Sequence, residues 1–497
     1  MSLDLSSMEQ RRWLGNRTLL VLLALEAGVL VLGVVFPKPT LLALGILVAA
    51  ACFVLFFPSR PEWFFYLVIV TSGLDYFGII ATSQTYNVTY FQFALLLAIA
   101  SYVAYAAMNQ QWDLPGTRAS MPFLALWGMA AFSLLYCASW QDGVVLVIRI
   151  LFLGILSFLT VLVVRTKPKM AQTVFFLLAT AVVVSVMATY QLVMDKEFLP
   201  PELANQFGHG VNRAEGTFAN ANWMAAFVMI GPVLSLSFLV NLRMPLWKKM
   251  IVAGVAASCV LGLLASFSRS GWLSTAIGIG LVPFLSGKFK AYLRFIPLVP
   301  LSGLLLFWMF PHVELFSSRL RSFLELGASN ASRVCLAISG LWMFRDHPLF
   351  GVGIGSFSTV YERSYVHPAM PVVQITKSHT LPVQVLAELG IIGFLLLVWF
   401  CYAIIREGLL AIKDIRDPYL RALEVGLVAV FLALMVNSLF NNHLGDNFLW
   451  VTIGLIFATR RADRYESLRS RESRQPRCPC APGGLRVAAR RTPQDAA

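Results

Sequence analysis

Long apolar segments recur along the whole chain, and they constrain its fold more than any other feature. An α-helix rises 1.5 Å per residue, so about 20 apolar residues cross a hydrocarbon core of roughly 30 Å. Fourteen segments approach or reach this length, near 18–36, 40–57, 63–80, 90–107, 121–138, 144–164, 171–193, 223–240, 250–267, 271–285, 294–310, 383–405, 420–440 and 447–459. Those at 271–285 and 447–459 are short, so we expect about 12–14 transmembrane helices. The pattern predicts an all-α polytopic membrane protein.

Composition and charge agree with a membrane protein. Hydrophobic residues make up 58% of the 497 residues and charged residues only 13%, a balance that a water-soluble protein of this size does not tolerate. The formal net charge is +14, but ten of the 39 basic residues follow Thr459 and most others lie in connections between apolar segments. Such residues orient helices and meet anionic lipid, so we expect membrane lipid and no nucleic acid as a partner.

The basic residues also predict the orientation in the membrane. They concentrate in every second connection, near 11–17, 60, 118, 165–169, 243–249, 288–294 and 406–421, which the positive-inside bias assigns to the cytoplasm. Both long connections between them, 194–222 and 311–382, then face outward. The predicted organisation is a transmembrane bundle at 1–310 with outer loop 194–222, an extracytoplasmic subdomain at 311–382, further transmembrane helices at 383–459, and a disordered basic cytoplasmic tail at 460–497.

Four basic residues, Arg213, Arg269, Arg333 and His379, lie on the predicted outer side, where the same bias disfavours them. Arg269 occupies a tight turn, SRSGW, between two apolar segments. A guanidinium held in such a turn suits bidentate binding of phosphate oxygens. The alternative is an anchor that reaches to lipid headgroups.

Two outer segments are rich in small and polar residues. Arg213 begins RAEGTFANAN, which ends at Asn222 and offers donors to a polar ligand; alternatively it is an ordinary turn in which Arg213 pairs with Glu215. Arg333 lies at the start of a helical pattern at 331–344, and the segment HPLFGVGIGSF follows it. The glycines of that segment resemble a phosphate loop, but no strand precedes them and the Walker lysine is missing. They predict a tight backbone turn packed on the membrane domain.

His379 lies just before the apolar segment at 383, and Glu388 lies within it. An imidazole there can accept a proton from a hydroxyl nucleophile, although a lone histidine in a loop is more often structural or solvated. A carboxylate inside a membrane helix is costly, so Glu388 either polarises the site or makes a polar contact with a neighbouring helix. Arg149 either helps to hold a lipid diphosphate or only extends to the headgroups. No cluster of metal ligands stands out on the outer side, and we predict no metal or cofactor.

Taken together, SRSGW, GTFANAN, HPLFGVGIGSF and the pattern H-x8-E-x-G-x-x-G from His379 to Gly393 resemble the O-antigen ligase and polymerase superfamily. The resemblance extends from about Asn212 to Gly393. One position departs from it: the family usually has Asn after the motif histidine, and this chain has Thr380.

The resemblance implies a GT-C-like, metal-independent, inverting membrane glycosyltransferase, with its active site on the outer face of the bacterial cytoplasmic membrane. Its donor would be a glycan on polyprenyl diphosphate, commonly undecaprenyl diphosphate, and its acceptor a hydroxyl of a glycan or glycolipid. Arg269 would stabilise the leaving diphosphate, supported by Arg213, Arg333 and Arg149. His379 would deprotonate or orient the acceptor hydroxyl, with Glu388 and Asn222 in support.

Several other functions stay open from the sequence. A polymerase of O-antigen or exopolysaccharide shares this chemistry but passes the glycan to another lipid-linked chain. A lipid-linked oligosaccharide transporter should concentrate ionisable residues within the spans and show two related halves, whereas the unusual residues here gather in outer loops. A structural scaffold predicts no functional loss when His379 or Arg269 is replaced.

Overall fold

A computed structural model describes residues 60–74, 79–82, 87–110, 112, 116–193, 213–289, 328–370 and 378–474. Within these ranges, seven helices are long and apolar enough to cross a membrane, and two shorter apolar helices accompany them. The protein is therefore a multi-pass, predominantly helical membrane protein, as its apolar segments predict.

The helices follow in chain order, with α6 and α7 forming one nearly continuous span. They are α1 Glu62–Thr71, α2 Tyr90–Asn109, α3 Ser120–Phe132, α4 Trp140–Val163, α5 Lys167–Val193, α6 Ala221–Val228, α7 Ile230–Asn241, α8 Leu246–Ala265, α9 Arg269–Ser286, α10 Ala328–Asp346, α11 Phe357–Val360, α12 Leu381–Asp414, α13 Pro418–Asn437 and α14 Asn447–Arg474. A short antiparallel hairpin joins β1 Ile79–Thr82 to β2 Asn87–Thr89, with Ile79 opposite Thr89.

Eleven of the fourteen predicted apolar segments contain a helix; the other three, 18–36, 40–57 and 294–310, lie outside the described residues. The fold class is confirmed, with the small hairpin as an addition. The predicted span at 63–80 is wrong in extent, because α1 ends at Thr71. There the hydroxyl of Ser72 donates to the carbonyl of Ile69 at 2.6 Å, and Gly73 follows, a combination that competes with helix continuation.

The C-terminal boundary also differs from the prediction. Helix α14 continues to Arg474, so 460–474 is helical rather than part of a disordered tail. Two polar contacts secure this extension: Arg460 Nη1 donates to Glu407 Oε1 at 2.7 Å, and Asp463 Oδ1 accepts from the backbone N–H of Asp417 at 3.0 Å. The remainder of the predicted tail, 475–497, lies outside the described residues.

Close helix packing fixes the part of the bundle that holds the predicted site. Helix α13 packs against α7 and α9, α8 against α5, α14 against α4, and α10 against α12. Small residues permit these approaches: a Cβ on Gly271 would lie 2.7 Å from Cβ of Ala225, and one on Gly278 would lie 2.9 Å from Val233. Membrane helices associate through such small-residue contacts. The start of α9, with Arg269, is thus held closely against its neighbours.

Helix α12 is interrupted at Gly390, which has φ 66° and ψ −164°. The break frees backbone groups, and the segment after α10 pairs with them. The N–H of Val352 donates to the carbonyl of Ala387 at 2.9 Å, and that of Gly353 donates to the carbonyl of Glu388 at 2.9 Å. Irregular backbone inside a membrane protein is tolerated where protein satisfies its polar groups in this way. The segment after α10 is therefore joined to the helix that carries Glu388.

The segment after α10 contains three glycines whose conformation and close contacts require glycine. Gly351, Gly353 and Gly355 all have positive φ, and a Cβ on Gly353 would lie 2.5 Å from the backbone of Cys137. A Cβ on Gly355 would lie 2.7 Å from the backbone nitrogen of Gly143. Only glycine allows both this backbone conformation and this proximity. The prediction of a tight turn packed on the membrane domain is confirmed.

Candidate active site

The turn that carries Arg269 is strained and precisely held. Phe267 has φ +47°, a conformation that is a genuine outlier for a bulky residue. Ser268 then caps α9, its hydroxyl accepting from the backbone N–H of Gly271 at 3.3 Å, and Arg269 is the first residue of the helix. Strained backbone concentrates at functional sites, where the surrounding structure has to maintain it. The guanidinium thus starts from a defined backbone position at a helix N-terminus.

Arg213 joins this turn through hydrogen bonds. Its Nε donates to the carbonyl of Ser266 at 3.0 Å, and its Nη2 donates to Oδ1 of Asn222 at 2.9 Å. The same Asn222 oxygen accepts from the hydroxyl of Ser268 at 2.8 Å. The structure therefore brings Arg213, Asn222 and the Arg269 turn together, although they are distant in the sequence.

Arg333, near the start of α10, lies within electrostatic range of Arg269. Burial lowers the pKa of Arg333 below its ordinary value, and the charge of Arg269 lowers it further. Repulsion between two partly buried guanidiniums has an energetic cost. An anion between or beside them would remove that cost, so the pair is a candidate anion site.

His379 lies in a second strained turn. It has φ +60° and is exposed, whereas Ser378 before it is fully buried. The backbone N–H of Ser378 donates to Oε1 of Gln384 at 3.2 Å, and the Ser378 hydroxyl donates to the carbonyl of Thr380 at 3.0 Å. These bonds fix the backbone on both sides of His379, so its imidazole projects from a rigid turn.

Glu388 supports this turn from inside α12. It is buried, and its Oε1 accepts from Nε2 of Gln384 at 3.1 Å and from the backbone N–H of Phe357 at 3.2 Å. Because Gln384 in turn binds Ser378, one route from the carboxylate of Glu388 to His379 passes through these two residues. Of the two roles predicted for Glu388, the hydrogen bonds to Gln384 and Phe357 correspond to the polar contact within the protein.

Thr380, the position that departs from the family pattern, has a buried hydroxyl with no hydrogen-bond partner among the described residues. Arg149 is exposed on α4, and its Nη2 donates to the carbonyl of Gly445 at 2.9 Å. Arg149 is thereby connected to the turn between α13 and α14 rather than directly to another predicted site residue.

That turn, residues 437–446, links the two halves of the site. The carbonyl of Ser438 accepts from the backbone N–H of Leu381, two residues after His379, at 2.9 Å. Nδ2 of Asn441 donates to the hydroxyl of Ser270, the neighbour of Arg269, at 3.0 Å. Sequence analysis did not single out this turn. The sequence feature that could have indicated this turn is the run Asn441-Asn442-His443 between two apolar segments, in a connection without Lys or Arg.

These groups offer complementary chemistry at one end of the bundle. The arginines and the N-terminus of α9 provide fixed positive charge for an anion. The exposed imidazole of His379 provides a group that can accept a proton. Within the described residues, no group of three or more His, Cys, Asp or Glu is placed to hold a metal ion.

Comparison with known proteins agrees with this arrangement. Residues 251–398 match the family model described as O-antigen ligase, a region that includes Arg269, Arg333, His379 and Glu388. Arg213, Asn222 and Arg149 lie outside the matched region. A search of curated proteins finds no match. Over this region the chain is similar to the O-antigen ligase family, and the match supports the superfamily that its sequence motifs resemble.

Proposed function

We propose that the protein transfers a glycan from a polyprenyl diphosphate, of the undecaprenyl type, to a hydroxyl of a glycan or glycolipid acceptor. The observation that carries this proposal is the proximity of Arg269 and Arg333, since the charge of Arg269 disfavours that of Arg333. A diphosphate bound there would offset that repulsion, and it gains negative charge as the glycosidic bond breaks.

In the proposed reaction the acceptor oxygen attacks the anomeric carbon of the donor and forms the new glycosidic bond. The bond between that carbon and the diphosphate oxygen breaks, and its electron pair leaves with polyprenyl diphosphate. The acceptor hydroxyl transfers its proton to the imidazole of His379, which later releases it to solvent. Attack opposite the leaving group inverts the anomeric configuration. The positive charges of Arg269 and Arg333 stabilise the negative charge that develops on the leaving diphosphate, without a metal ion.

The other predicted residues have supporting parts in this scheme. Arg213 and Asn222 hold the Arg269 turn through the hydrogen bonds described above, and Arg213 adds positive charge beside it. Glu388 and Gln384 hold the His379 turn. Arg149, exposed on α4, is suited to meet the donor diphosphate at headgroup level or to attract the anionic lipid.

We place the site on the outer face of the bacterial cytoplasmic membrane. The support is the charge pattern of the connections, in which the basic residues gather at the end opposite Arg269 and His379. A glycan donor carried on a membrane lipid reaches that end from the bilayer, so the lipid chain need never leave the membrane.

The test is glycan transfer by purified protein with a polyprenyl-diphosphate glycan and candidate acceptors, one of which is the lipid-linked glycan itself. We expect His379→Ala, Arg269→Ala and Arg333→Ala each to lower kcat/KM by about 10²–10³-fold. Arg345→Ala is the matched control, since Arg345 lies on the same helix as Arg333 but is exposed and bound to Asp346 at 2.9 Å. It should retain parental activity.

Different outcomes refute different parts of the proposal. Parental rates for both His379→Ala and Arg269→Ala would refute the mechanism. Loss of transfer on addition of a chelator would refute only its metal-independence. Growth of the lipid-linked glycan in place of transfer to another acceptor would assign the chain as a polymerase.

A further inference from the structure

His443 is a completely buried histidine whose two ring nitrogens both have polar partners. Its side chain is 0% exposed, Nδ1 lies 2.6 Å from Oδ2 of Asp446, and Nε2 lies 2.9 Å from Oδ1 of Asn437. Its ring centroid also lies 6.1 Å from that of Phe448. A buried polar group with both positions satisfied is held in one orientation. His443 therefore joins the end of α13 to the start of α14 across the turn at 437–446.

A continuous series of hydrogen bonds runs from His443 to the arginine side of the site. Oδ1 of Asn437 accepts from Nδ2 of Asn441 at 2.8 Å, and the same Nδ2 donates to the hydroxyl of Ser270 at 3.0 Å. The hydroxyls of Ser270 and Ser268 are 3.3 Å apart, and that of Ser268 donates to Asn222 at 2.8 Å. Ser268 and Ser270 flank Arg269, so the series reaches the neighbours on both sides of the residue proposed to bind the diphosphate.

The same turn also reaches the His379 side. Ser438 follows Asn437 directly, and its carbonyl accepts the backbone N–H of Leu381, two residues after His379. Gly445 precedes Asp446, and its carbonyl accepts from Arg149. Asn437 and Asp446, the two partners of His443, are thus each next to a residue that contacts another part of the site.

We infer that His443 is a positioning residue for glycan transfer, which sets the distance between the diphosphate-binding arginines and the imidazole of His379. The inference rests on the proposed function. In-line attack requires donor and acceptor groups to be placed within a fraction of an ångström, and a displacement of about 1 Å costs about 10²-fold in rate. His443 is too deeply buried to touch either substrate, so its effect must pass through Asn437, Asn441 and Ser438.

The experiment compares two substitutions that separate hydrogen bonding from packing. In His443→Phe an aromatic ring, somewhat larger than imidazole, is retained but both ring nitrogens are lost. In His443→Gln the side-chain amide can still donate to Asn437. We expect His443→Phe to lower kcat by about 10–100-fold with the donor KM within about threefold of the parent. His443→Gln should recover most of that loss, and the exposed Arg345→Ala should behave as the parent.

A double substitution tests the route. Because Ser270 lies on the series that begins at His443, Ser270→Ala should cost clearly less in the His443→Phe background than in the parent. If the fold-losses in kcat of the two single substitutions simply multiply in the double variant, the proposed route through Asn441 and Ser270 would be overturned.

Amide hydrogen exchange provides a readout that needs no substrate. In His443→Phe, exchange at Leu381 and at 268–271 should become faster than in the parent. Unchanged exchange at both segments, or parental kcat in His443→Phe, would overturn the inference. If the parent transfers no glycan at all, the proposed function fails, and the exchange experiment alone still decides whether His443 positions the two turns.

Discussion

Replacement of Arg269 by glutamine is expected to stabilise the ligand-free protein while nearly abolishing transfer. Two interactions act against the charge of Arg269: it repels that of Arg333, and Arg269 is the first residue of α9, where the helix dipole disfavours a cation. The helix terminus alone accounts for about 0.3–1 kcal/mol. With the repulsion from Arg333 added and solvent screening allowed for, we expect a gain of roughly 1 kcal/mol.

The activity should change in the opposite direction. Loss of one preorganised charge at the leaving group costs about 3–4 kcal/mol in the transition state, or about 10²–10³-fold in kcat/KM. Thermal unfolding in detergent without donor gives the stability, and transfer from the lipid-linked glycan gives the rate. Donor addition should then raise the unfolding temperature of the parent more than that of Arg269→Gln. A variant that is both less stable than the parent and equally stabilised by donor would refute the assignment of Arg269 to the anion site.

Three further predictions concern the scaffold of the site. Gly390→Ala should destabilise the protein by about 3 kcal/mol or more in thermal unfolding, because φ is 66° and a Cβ would lie 2.3 Å from the carbonyl oxygen of Leu349; a smaller effect would mean that α12 can straighten. Glu388→Gln retains an acceptor for Phe357 and should keep transfer within about threefold of the parent, whereas Glu388→Leu should lose about tenfold or more; equal rates would remove Glu388 from the site. Glu424→Gln, far from the site, should leave the transfer rate unchanged, and a large loss would favour a transport function.

The sequence predicted most of the fold because membrane helices depend mainly on local composition. Apolar length located the helices, and the three glycines after His347 predicted the turn that docks on α12. The extent of α1 was missed because Thr71 and Ser72 lie within an apolar stretch, and hydropathy does not register their hydroxyls. The extension of α14 depends on contacts of Arg460 and Asp463 with residues about 50 positions away, which no local pattern contains.

The sequence indicates candidate site residues where a residue type conflicts with the predicted topology. Arg213, Arg269 and Arg333 carry charge on the predicted outer side, where the positive-inside bias disfavours it. His443 and Asn441 contradict nothing, because an Asn-Asn-His turn between two helices is ordinary. Their importance depends on which helix ends meet, and only the three-dimensional packing of α9, α12 and α13 brings Ser270 and Leu381 to the same turn.

The positions of the ion pairs and of the buried Glu424 argue against passage of a substrate through the bundle. Glu407 binds Arg460 at 2.7 Å and lies 3.6 Å from Arg118, and Arg460 also contacts Asp414. All four lie towards the end where α12 finishes, opposite His379. Glu424, fully buried, accepts from Thr459 near the same end. A transport route needs polar or ionisable groups along its length. Among the described residues, these groups instead join neighbouring helices at one end, while the strained turns and the arginine pair occupy the other. That separation favours chemistry at a single surface of the membrane.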